Sequence, residues 1–380
     1  MRLSVCFLTR NQEADLPRAL RSVAPVAAEC LVVDTGSTDR TAGVAEENGA
    51  RVLSFAWEED FSAGRNFAVR QAAGEWVLWM NADEELLPES VVAFEECMGR
   101  ENLFGYFVRV LHTPNPATPD RPADTADLRL FRRRPDLPFV GRLHPAHGPE
   151  SLEVIRKEGL RVAACNVALR SHAPPGGLDE TKLQWIRRLL ELELADRPGN
   201  LHYLIEYGRV LLRLGDAKGH EVLAQAVEQV LPLRDAPNAP SFKVQVLLEY
   251  LLNVPPEVTR SRLTRKEARA LARRWFPSSP TLLYRVAEQE FREGDSARAA
   301  EALESLIGLG QSGAYDRSQV FDPALIADDS LMNLAACYLQ LGRLDDAERC
   351  YRMLLGSKSQ NAQAVQGLSA VAQLRRGRLS

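Results

Sequence analysis

The sequence predicts an α/β domain with a mixed sheet over residues 1–175, followed by an all-α helical-repeat domain over residues 176–380. Short apolar runs alternate with helical segments in the first part, which is typical of strand–helix–strand units. From about residue 178 the strand pattern fades, and Leu, Ala, Arg and Glu recur at amphipathic helical spacing. The stretch 173–177, Ala-Pro-Pro-Gly-Gly, is the natural linker.

The first 80 residues predict right-handed βαβ units and a parallel sheet covered on both faces. Glycine ends two of the predicted helices, at Gly49 and Gly74. The predicted strands are 3–8, 30–33, 51–55 and 76–80, and the predicted helices are 16–23, 38–48 and 61–73.

After Pro88 the pattern changes to one helix, 89–98, and three strand-like pieces, 104–111, 127–131 and 161–167. We interpret this region as a mixed sheet. A proline-rich loop, 113–119, interrupts it and is a candidate lid or acceptor contact, although such loops are commonly plain connectors.

The C-terminal half contains weak internal repetition. Residues 331–351 resemble one tetratricopeptide repeat, with small residues at Ala335 and Ala347 where two antiparallel helices approach and a turn at Gly342. Residues 284–306 repeat the pattern, and a poorer copy lies around 207–232. The alternative is an irregular helical bundle, which has the same helix-on-helix class.

Composition excludes several classes of protein. The 380 residues carry a net charge of -4 with mixed signs, so we expect no bulk attraction to nucleic acid. We expect no signal peptide and no membrane span, because the apolar stretches are too short. Six cysteines without a C-x-x-C pair suit a reducing cytoplasm. We therefore predict a soluble, cytoplasmic protein.

Polar residues cluster after three of the predicted parallel strands: Thr9 and Asn11, then Asp34, then Asn81, Asp83 and Glu84. In open α/β sheets the carboxyl ends of the strands form the edge where ligands bind. Asp34 can accept hydrogen bonds from a base or ribose. A carboxylate after the apolar run that ends at Trp79 needs a partner, and a divalent cation such as Mg²⁺ or Mn²⁺ prefers such oxygen ligands.

Three common sites are missing from the sequence. No G-x-G-x-x-G of a dinucleotide-binding fold follows the first predicted strand, and the sequence lacks the G-x-x-x-x-G-K-[ST] of P-loops and the G-x-S-x-G of a serine nucleophile elbow.

Segments 31–41, 57–66 and 79–84, taken together and in order, resemble family 2 glycosyltransferases, which have the GT-A fold, a Rossmann-like mixed sheet. The layout with a helical tail is similar to that of bacterial peptide S-glycosyltransferases. The resemblance is strong up to about residue 89 and fainter to residue 172.

The resemblance implies a role for each matching position. Thr9, Asn11 and Asp34 correspond to the nucleotide contacts, and Arg65 and Asn66 to a helix start near the nucleotide. Asn81 and Asp83 match the two ends of the family's D-x-D metal motif, with asparagine in place of the first aspartate. Asp83 is therefore the expected main metal ligand, with Glu84 as a helper.

Two histidines receive roles from the same resemblance. His144 lies where relatives have His-Glu, but Pro145 follows it here. His172 resembles a late metal or diphosphate ligand. The alternative for both is a packed or solvent-exposed imidazole. Glu84, Glu85 and His144 are the candidate catalytic bases.

The predicted function is transfer of a sugar, with inversion, from a nucleotide-diphosphate sugar, a UDP-sugar in the first instance, to an acceptor, with Mn²⁺ or Mg²⁺ as cofactor. The helical domain is expected to bind a peptide or protein acceptor or a second copy of the chain. The alternative is a catalytically weak or inactive protein that acts as an adaptor, which Asn81 and Pro145 favour.

Overall fold

The computed structural model describes residues 2–112, 124–173, 179–259, 261–318, 321–357 and 361–377. The chain divides into two compact units, residues 1–196 and 197–380. The α/β class of the first and the all-α class of the second are as predicted. The first unit includes the helix Glu180–Asp196, which lies beyond the predicted boundary at residue 175. The proline-rich loop 113–119 and most of the linker lie outside the described residues.

An eight-stranded mixed sheet forms the centre of the N-terminal unit, in the order β3-β2-β1-β4-β7-β6-β10-β5. Strands β1 to β4 are parallel, β7 is antiparallel to both β4 and β6, and β10 is parallel to β6. The strands are β1 Leu3–Thr9, β2 Glu29–Asp34, β3 Arg51–Ser54, β4 Trp76–Trp79, β5 Glu84–Leu86, β6 Leu103–Leu111, β7 Asp124–Arg132, β8 Phe139–Val140, β9 Ala146–His147 and β10 Arg161–Ser171. The β8–β9 pair forms a separate two-stranded sheet.

Helices cover both faces of this sheet. One apolar cluster joins α1 and α4 to β1 and β4, and a second joins α3 to the other face. The helices of the unit are α1 Leu16–Val23, α2 Thr41–Glu47, α3 Phe61–Gln71, α4 Ala93–Met98, α5 Pro149–Lys157 and α6 Glu180–Asp196. Burial on both faces explains why the parallel strands are continuous apolar runs.

Several element bounds differ from the predicted ones. The predicted helix 38–48 begins only at Thr41, because Thr38 and Asp39 bond to the β1–α1 loop. The predicted helix 89–98 is a short 3₁₀ turn, Pro88–Ser90, followed by α4. The sequence analysis did not find β5, β8, β9 or α5, which are short or bury few apolar residues.

The C-terminal unit consists of paired helices. All three predicted repeat copies are helical hairpins, and the glycine of each turn, Gly215, Gly294 and Gly342, has a positive φ of 75°, 85° and 71°. The helices are α7 Leu201–Arg213, α8 Lys218–Val230, α9 Val244–Asn253, α10 Pro256–Thr259, α11 Arg265–Trp275, α12 Pro280–Arg292, α13 Ser296–Ser312, α14 Asp328–Gln340, α15 Leu344–Ser357 and α16 Ala362–Gly377.

Close helix approach in these hairpins depends on small residues. A Cβ at Gly208 would lie 2.7 Å from Leu223 Cγ, and Ala335 and Ala347 are fully buried.

Among the described residues, no helix is long and apolar enough to span a bilayer.

Candidate functional site

The carboxyl ends of β1, β2 and β4 lie side by side, because these strands are adjacent and parallel. We call this edge, with the residues that directly follow the three strands, the sheet rim. Thr9 pairs with Asp34 in register, so these two predicted nucleotide-contact residues are neighbours. Asn81 and Asp83 follow β4 on the same edge.

The loops after β1 and β2 are held together by hydrogen bonds from side chains. The backbone N–H of Asn11 donates to Ser37 Oγ at 2.9 Å, and Thr38 N–H donates to Asn11 Oδ1 at 2.8 Å. Asn11 adopts a positive φ of 53°, which asparagine tolerates better than most residues. The Asp34 carboxylate accepts from the N–H groups of Gly36 and Ser37 and from Ser37 Oγ. These bonds fix Asp34 at the rim in a defined orientation.

Asp83 and His172 are brought together by the last strand. Ser171, at the end of β10, pairs with Glu84 of β5, and the N–H of His172 donates to the Asp83 carbonyl at 2.8 Å. Ser171 Oγ also donates to Asp83 Oδ2 at 3.3 Å. The Asp83 side chain is half-buried, so it is not sealed in the interior. The backbones of Asp83 and His172, the two predicted metal ligands, are therefore adjacent.

His172 has a carboxylate partner of its own. Its Nε2 lies 2.8 Å from Glu85 Oε2, and both side chains are about one-third exposed, at 32% and 31%. A carboxylate that bonds one ring nitrogen of a histidine fixes the orientation of the ring. Glu85 therefore fixes the imidazole ring of His172.

Within the residues that the structure describes, no three His, Cys, Asp or Glu side chains are grouped closely enough to hold a metal ion by themselves. Mg²⁺ characteristically takes one or two carboxylates and completes its shell with water and substrate phosphate oxygens. The Asp83–His172 pair fits such a shared site and does not fit a closed structural metal site.

Glu84 points away from solvent. Its side chain is 2% exposed, and its carboxylate accepts from the backbone N–H of Asn81 at 2.7 Å and from Asn81 Nδ2 at 3.0 Å. Arg129 Nη1 lies 3.3 Å from Glu84 Oε2. Burial raises the pKa of Glu84, and the Arg129 cation opposes that rise. These contacts favour a role in positioning Asn81 over the predicted catalytic role, because both carboxylate oxygens are engaged.

Arg129 is a residue of this region that the sequence analysis missed. It lies on β7, is 9% exposed and pairs with Glu84 and Asp127. Its attraction to these carboxylates raises the pKa of the guanidinium despite burial. The available signal was a charged residue between the apolar residues Leu128 and Leu130 of β7.

His112 was also given no role by the sequence analysis. It directly follows β6, and its Nε2 lies 2.9 Å from Thr125 Oγ1. Burial lowers its pKa. The charges that act on it include those of Asp127, Arg129 and Asp83, so His112 shares the electrostatic environment of the predicted metal ligand.

Arg65 lies in the first half of α3, with its guanidinium 4.6 Å from the centre of the Trp79 ring. Nη1 donates to the Pro145 carbonyl at 3.4 Å. In the part of the chain that the structure describes, Arg65 forms no ion pair. Burial, and then the nearby Arg129 cation, lower the pKa of Arg65 to about 9, so the group stays cationic at neutral pH. It is a cation without a bound carboxylate, and an anionic ligand is its natural partner.

Asn66 and His144 lie away from the rim residues described above. The Asn66 amide donates to the Phe139 carbonyl at 2.9 Å and accepts from the Phe139 N–H at 2.8 Å, which ties α3 to β8. His144 is exposed in the turn between β8 and β9. The predicted nucleotide contact of Asn66 and the predicted catalytic role of His144 stay predictions.

Comparison with known proteins finds sequences that are similar to the N-terminal unit. Residues 4–161 match the family model "Glycosyl transferase family 2". A TPR repeat-containing protein of Synechococcus elongatus is 32% identical over 60% of this chain and 57% of its own length. A lipopolysaccharide core biosynthesis glycosyltransferase of Rhizobium meliloti is 31% identical over 34% of this chain and 51% of its own length. The chain thus spans about half the length of these curated relatives.

Among solved structures, glucosyl-3-phosphoglycerate synthase of Mycobacterium tuberculosis, in complex with Mn²⁺, UDP and glucosyl-3-phosphoglycerate, is similar at 20% identity and a TM-score of 0.35. The similarity covers 51% of this chain and 79% of that one. The sequence match over residues 4–161 is the stronger finding. Residues 4–161, which lie in the N-terminal unit, are therefore similar to glycosyltransferase family 2.

Proposed function

We propose that this protein transfers a glycosyl group from a nucleotide-diphosphate sugar, with UDP as the nucleotide, to an acceptor nucleophile, with inversion at the anomeric carbon. The observation that carries the proposal is the placement of Asp83 beside His172 on the same rim as Asp34. The family 2 match over residues 4–161 supports the reaction class. The names of several relatives, which are glycosyltransferases, agree with it.

Asp83 and His172 would hold a divalent cation, Mn²⁺ or Mg²⁺. Such an ion supplies Lewis-acid stabilisation for a departing diphosphate. Asn81 brings no charge, but Glu84 holds its amide nitrogen and leaves Oδ1 as an acceptor for a ribose hydroxyl. Metal binding would then depend on the donor's phosphate oxygens more strongly than in relatives with two aspartates.

The nucleotide would lie along the first two strand ends. Asp34 lies beside Thr9 and is fixed by the β2–α2 turn, which suits hydrogen bonding to base or ribose. The Arg65 guanidinium lies over the Trp79 ring and has N–H donors for the diphosphate. A planar guanidinium with several N–H groups suits phosphate recognition.

The proton of the acceptor needs a base near the rim. Glu84 is buried and paired, so we assign it a positioning role and keep Glu85 and His144 as the candidate bases. The helical unit would bind a peptide or protein acceptor, or a second copy of the chain, since concave helical-repeat surfaces suit extended partners.

A second candidate function is that of an inactive adaptor. Two observations favour the adaptor. Position 81 has no charged residue, and the described residues contain no three-ligand cluster. The two functions differ in whether saturating UDP plus Mn²⁺ raises the melting temperature, because a ligand that binds the native state stabilises it.

The deciding experiment measures UDP release from a panel of UDP-sugars with Mn²⁺ present and with chelator. We expect release only with Mn²⁺ and its loss in Asp83→Asn. The control is Glu46→Gln, an exposed carboxylate on α2, which should keep full activity. Full turnover in Asp83→Asn would refute the metal assignment. No UDP release by the wild type, together with no thermal shift from UDP plus Mn²⁺, would favour the adaptor.

A further inference from the structure

Two cysteines from distant parts of the sequence meet beside the sheet. Cys97 lies near the end of α4, and Cys165 lies midway along β10. Both line a cavity of about 180 Å³, together with Glu96, Arg100 and Tyr106. The pair is separate from the rim residues and has no part in the proposed glycosyl transfer.

The two thiols are not equivalent. Cys97 is 6% exposed, whereas Cys165 is half-buried and its sulfur lies 3.5 Å from the Phe107 carbonyl oxygen. The hydrogen bond from Cys97 lowers the pKa of Cys165, and donating that bond, together with burial, raises the pKa of Cys97. Cys165 is therefore the thiol that more readily becomes a thiolate and that reagents reach first.

We infer that Cys97 and Cys165 form a reversible dithiol–disulfide site that is oxidised by low-molecular-weight disulfides. The placement of both thiols on one cavity, with Cys165 the more exposed of the two, carries this inference. Pairs of this kind in reducing compartments are commonly transient or redox-sensing, which suits a site where one thiol is reachable and the other is held against it.

The reaction proceeds in two exchange steps. The Cys165 thiolate attacks one sulfur of the small disulfide, whose S–S bond breaks and releases the first small thiol. Cys97 then loses its proton and attacks the Cys165 sulfur, which forms the protein disulfide and releases the second small thiol. Two protein thiols are oxidised, one small disulfide is reduced, and the two protons end on the released thiols.

The test treats the purified full chain with glutathione disulfide at neutral pH, alkylates the remaining thiols and maps the peptides by mass spectrometry. We expect the number of free thiols to fall from six to four, and one new cross-link between the peptides that contain Cys97 and Cys165. Dithiothreitol should restore all six. Retention of six thiols, or a stable glutathione adduct on Cys165 of the wild type, would overturn the inference.

Two variants assign the roles of the sulfurs. Cys97→Ser should accumulate a stable glutathione adduct on Cys165, and Cys165→Ser should react at least 10-fold more slowly at Cys97. The matched control is Cys30→Ser, a half-buried cysteine on the strand β2, which should keep the two-thiol loss. An equal loss of two thiols in Cys97→Ser would place the disulfide elsewhere and refute the assignment. The wild-type peptide map does not depend on the folding of any variant.

Discussion

The backbone N–H of His172 donates a 2.8 Å hydrogen bond to the carbonyl oxygen of Asp83. This bond joins the end of β10 to the segment that follows β4, and Glu85 fixes the imidazole from the other side. It makes one local unit of two residues that lie far apart in the sequence. The proposed metal site depends on that unit.

Replacing His172 tests this unit directly. We expect His172→Ala to weaken Mn²⁺ binding in the presence of UDP by more than 10-fold, because one of two protein ligands is lost. Glu85→Gln should weaken it less, by about 10-fold, since residues that orient a metal ligand typically contribute 10- to 100-fold to affinity. Calorimetric titration of Mn²⁺ at saturating UDP measures both effects.

The exposed Glu89 provides the control for these two variants, and Glu89→Gln should bind Mn²⁺ like the wild type. Unchanged Mn²⁺ affinity in His172→Ala would remove His172 from the site and leave Asp83 as its single ligand.

The buried pair of Glu84 and Arg129 should contribute strongly to stability. Arg129→Met leaves the Glu84 carboxylate buried without its cation, and removing one partner of a buried pair costs about 3–5 kcal/mol. Tryptophan fluorescence is a suitable probe of unfolding, because four of the five tryptophans lie in the N-terminal unit.

The same pair predicts a pH dependence. Burial raises the pKa of Glu84, so the folded state holds the proton more tightly than the unfolded chain, and the contribution of Glu84 to stability falls as pH rises above about 4.5. Losing Arg129 raises the pKa of Glu84 further. The difference in free energy of unfolding between the wild type and Arg129→Met should therefore become smaller as pH is lowered from 7 to 5. The Arg129→Met, Glu84→Gln double variant should show no such narrowing. A gap that stays constant with pH would mean that Arg129 acts through packing alone.

Arg65 should distinguish diphosphate binding from nucleoside binding. We expect Arg65→Met to weaken UDP binding by roughly 10- to 100-fold, since hydrogen bonds to charged groups contribute about 1.5–3 kcal/mol. Uridine affinity should not change, because the proposed contact is to phosphate. Calorimetry with UDP and with uridine separates the two.

The exposed Arg21 of α1 supplies a control for charge alone, so Arg21→Met should bind UDP normally. If Arg65→Met weakens UDP and uridine equally, the residue supports the fold of the pocket and does not contact the diphosphate.

His147 should limit the stability of the N-terminal unit in acid. Its ring packs among Phe104, Phe131 and Phe139, it is 8% exposed, and burial lowers its pKa to about 4 from an ordinary value of 6.5. The unfolded chain therefore takes up a proton that the folded state resists, so stability is lost as pH falls from 6.5 to about 4. The loss is roughly 3 kcal/mol for a shift of this size.

Denaturant unfolding at pH 7, 6 and 5 gives the free energy of unfolding as a function of pH. In His147→Phe this free energy should depend less on pH, by the amount that His147 contributes. The solvent-exposed His144 is the comparison, because His144→Phe should leave the slope as it is. A slope identical in wild type and His147→Phe would assign the acid sensitivity to other groups.

The sequence alone predicted the regular parts of the fold well where the pattern was local. Helix α1 spans the predicted Leu16–Val23, because its apolar residues recur at helical spacing and Pro17 suits a first turn. Three of the four parallel strands, β1, β2 and β4, were visible as apolar runs because both of their faces are largely buried. The repeat glycines predicted the three hairpin turns, since a positive φ is easiest for glycine.

Contacts between distant segments were not predictable in this way. Thr38 and Asp39 carry helix-capping chemistry, yet they bond across to the β1–α1 loop, so α2 starts later than predicted. Arg129 gave only a weak signal, because its importance comes from Glu84, which lies on β5, two strands earlier in the sequence.

The sequence by itself predicted the two fold classes, the polar residues at the ends of three parallel strands and the resemblance of the N-terminal domain to a glycosyltransferase family, because these depend on periodicity and short motifs. The tertiary structure decided which of two neighbouring carboxylates faces solvent: Asp83 is half-buried beside His172, and Glu84 is enclosed by Asn81 and Arg129. The physical reason is that the burial of these side chains and their ion pairing depend on the packing of β4, β5, β7 and β10. These strands are separated in sequence and are brought together by the sheet.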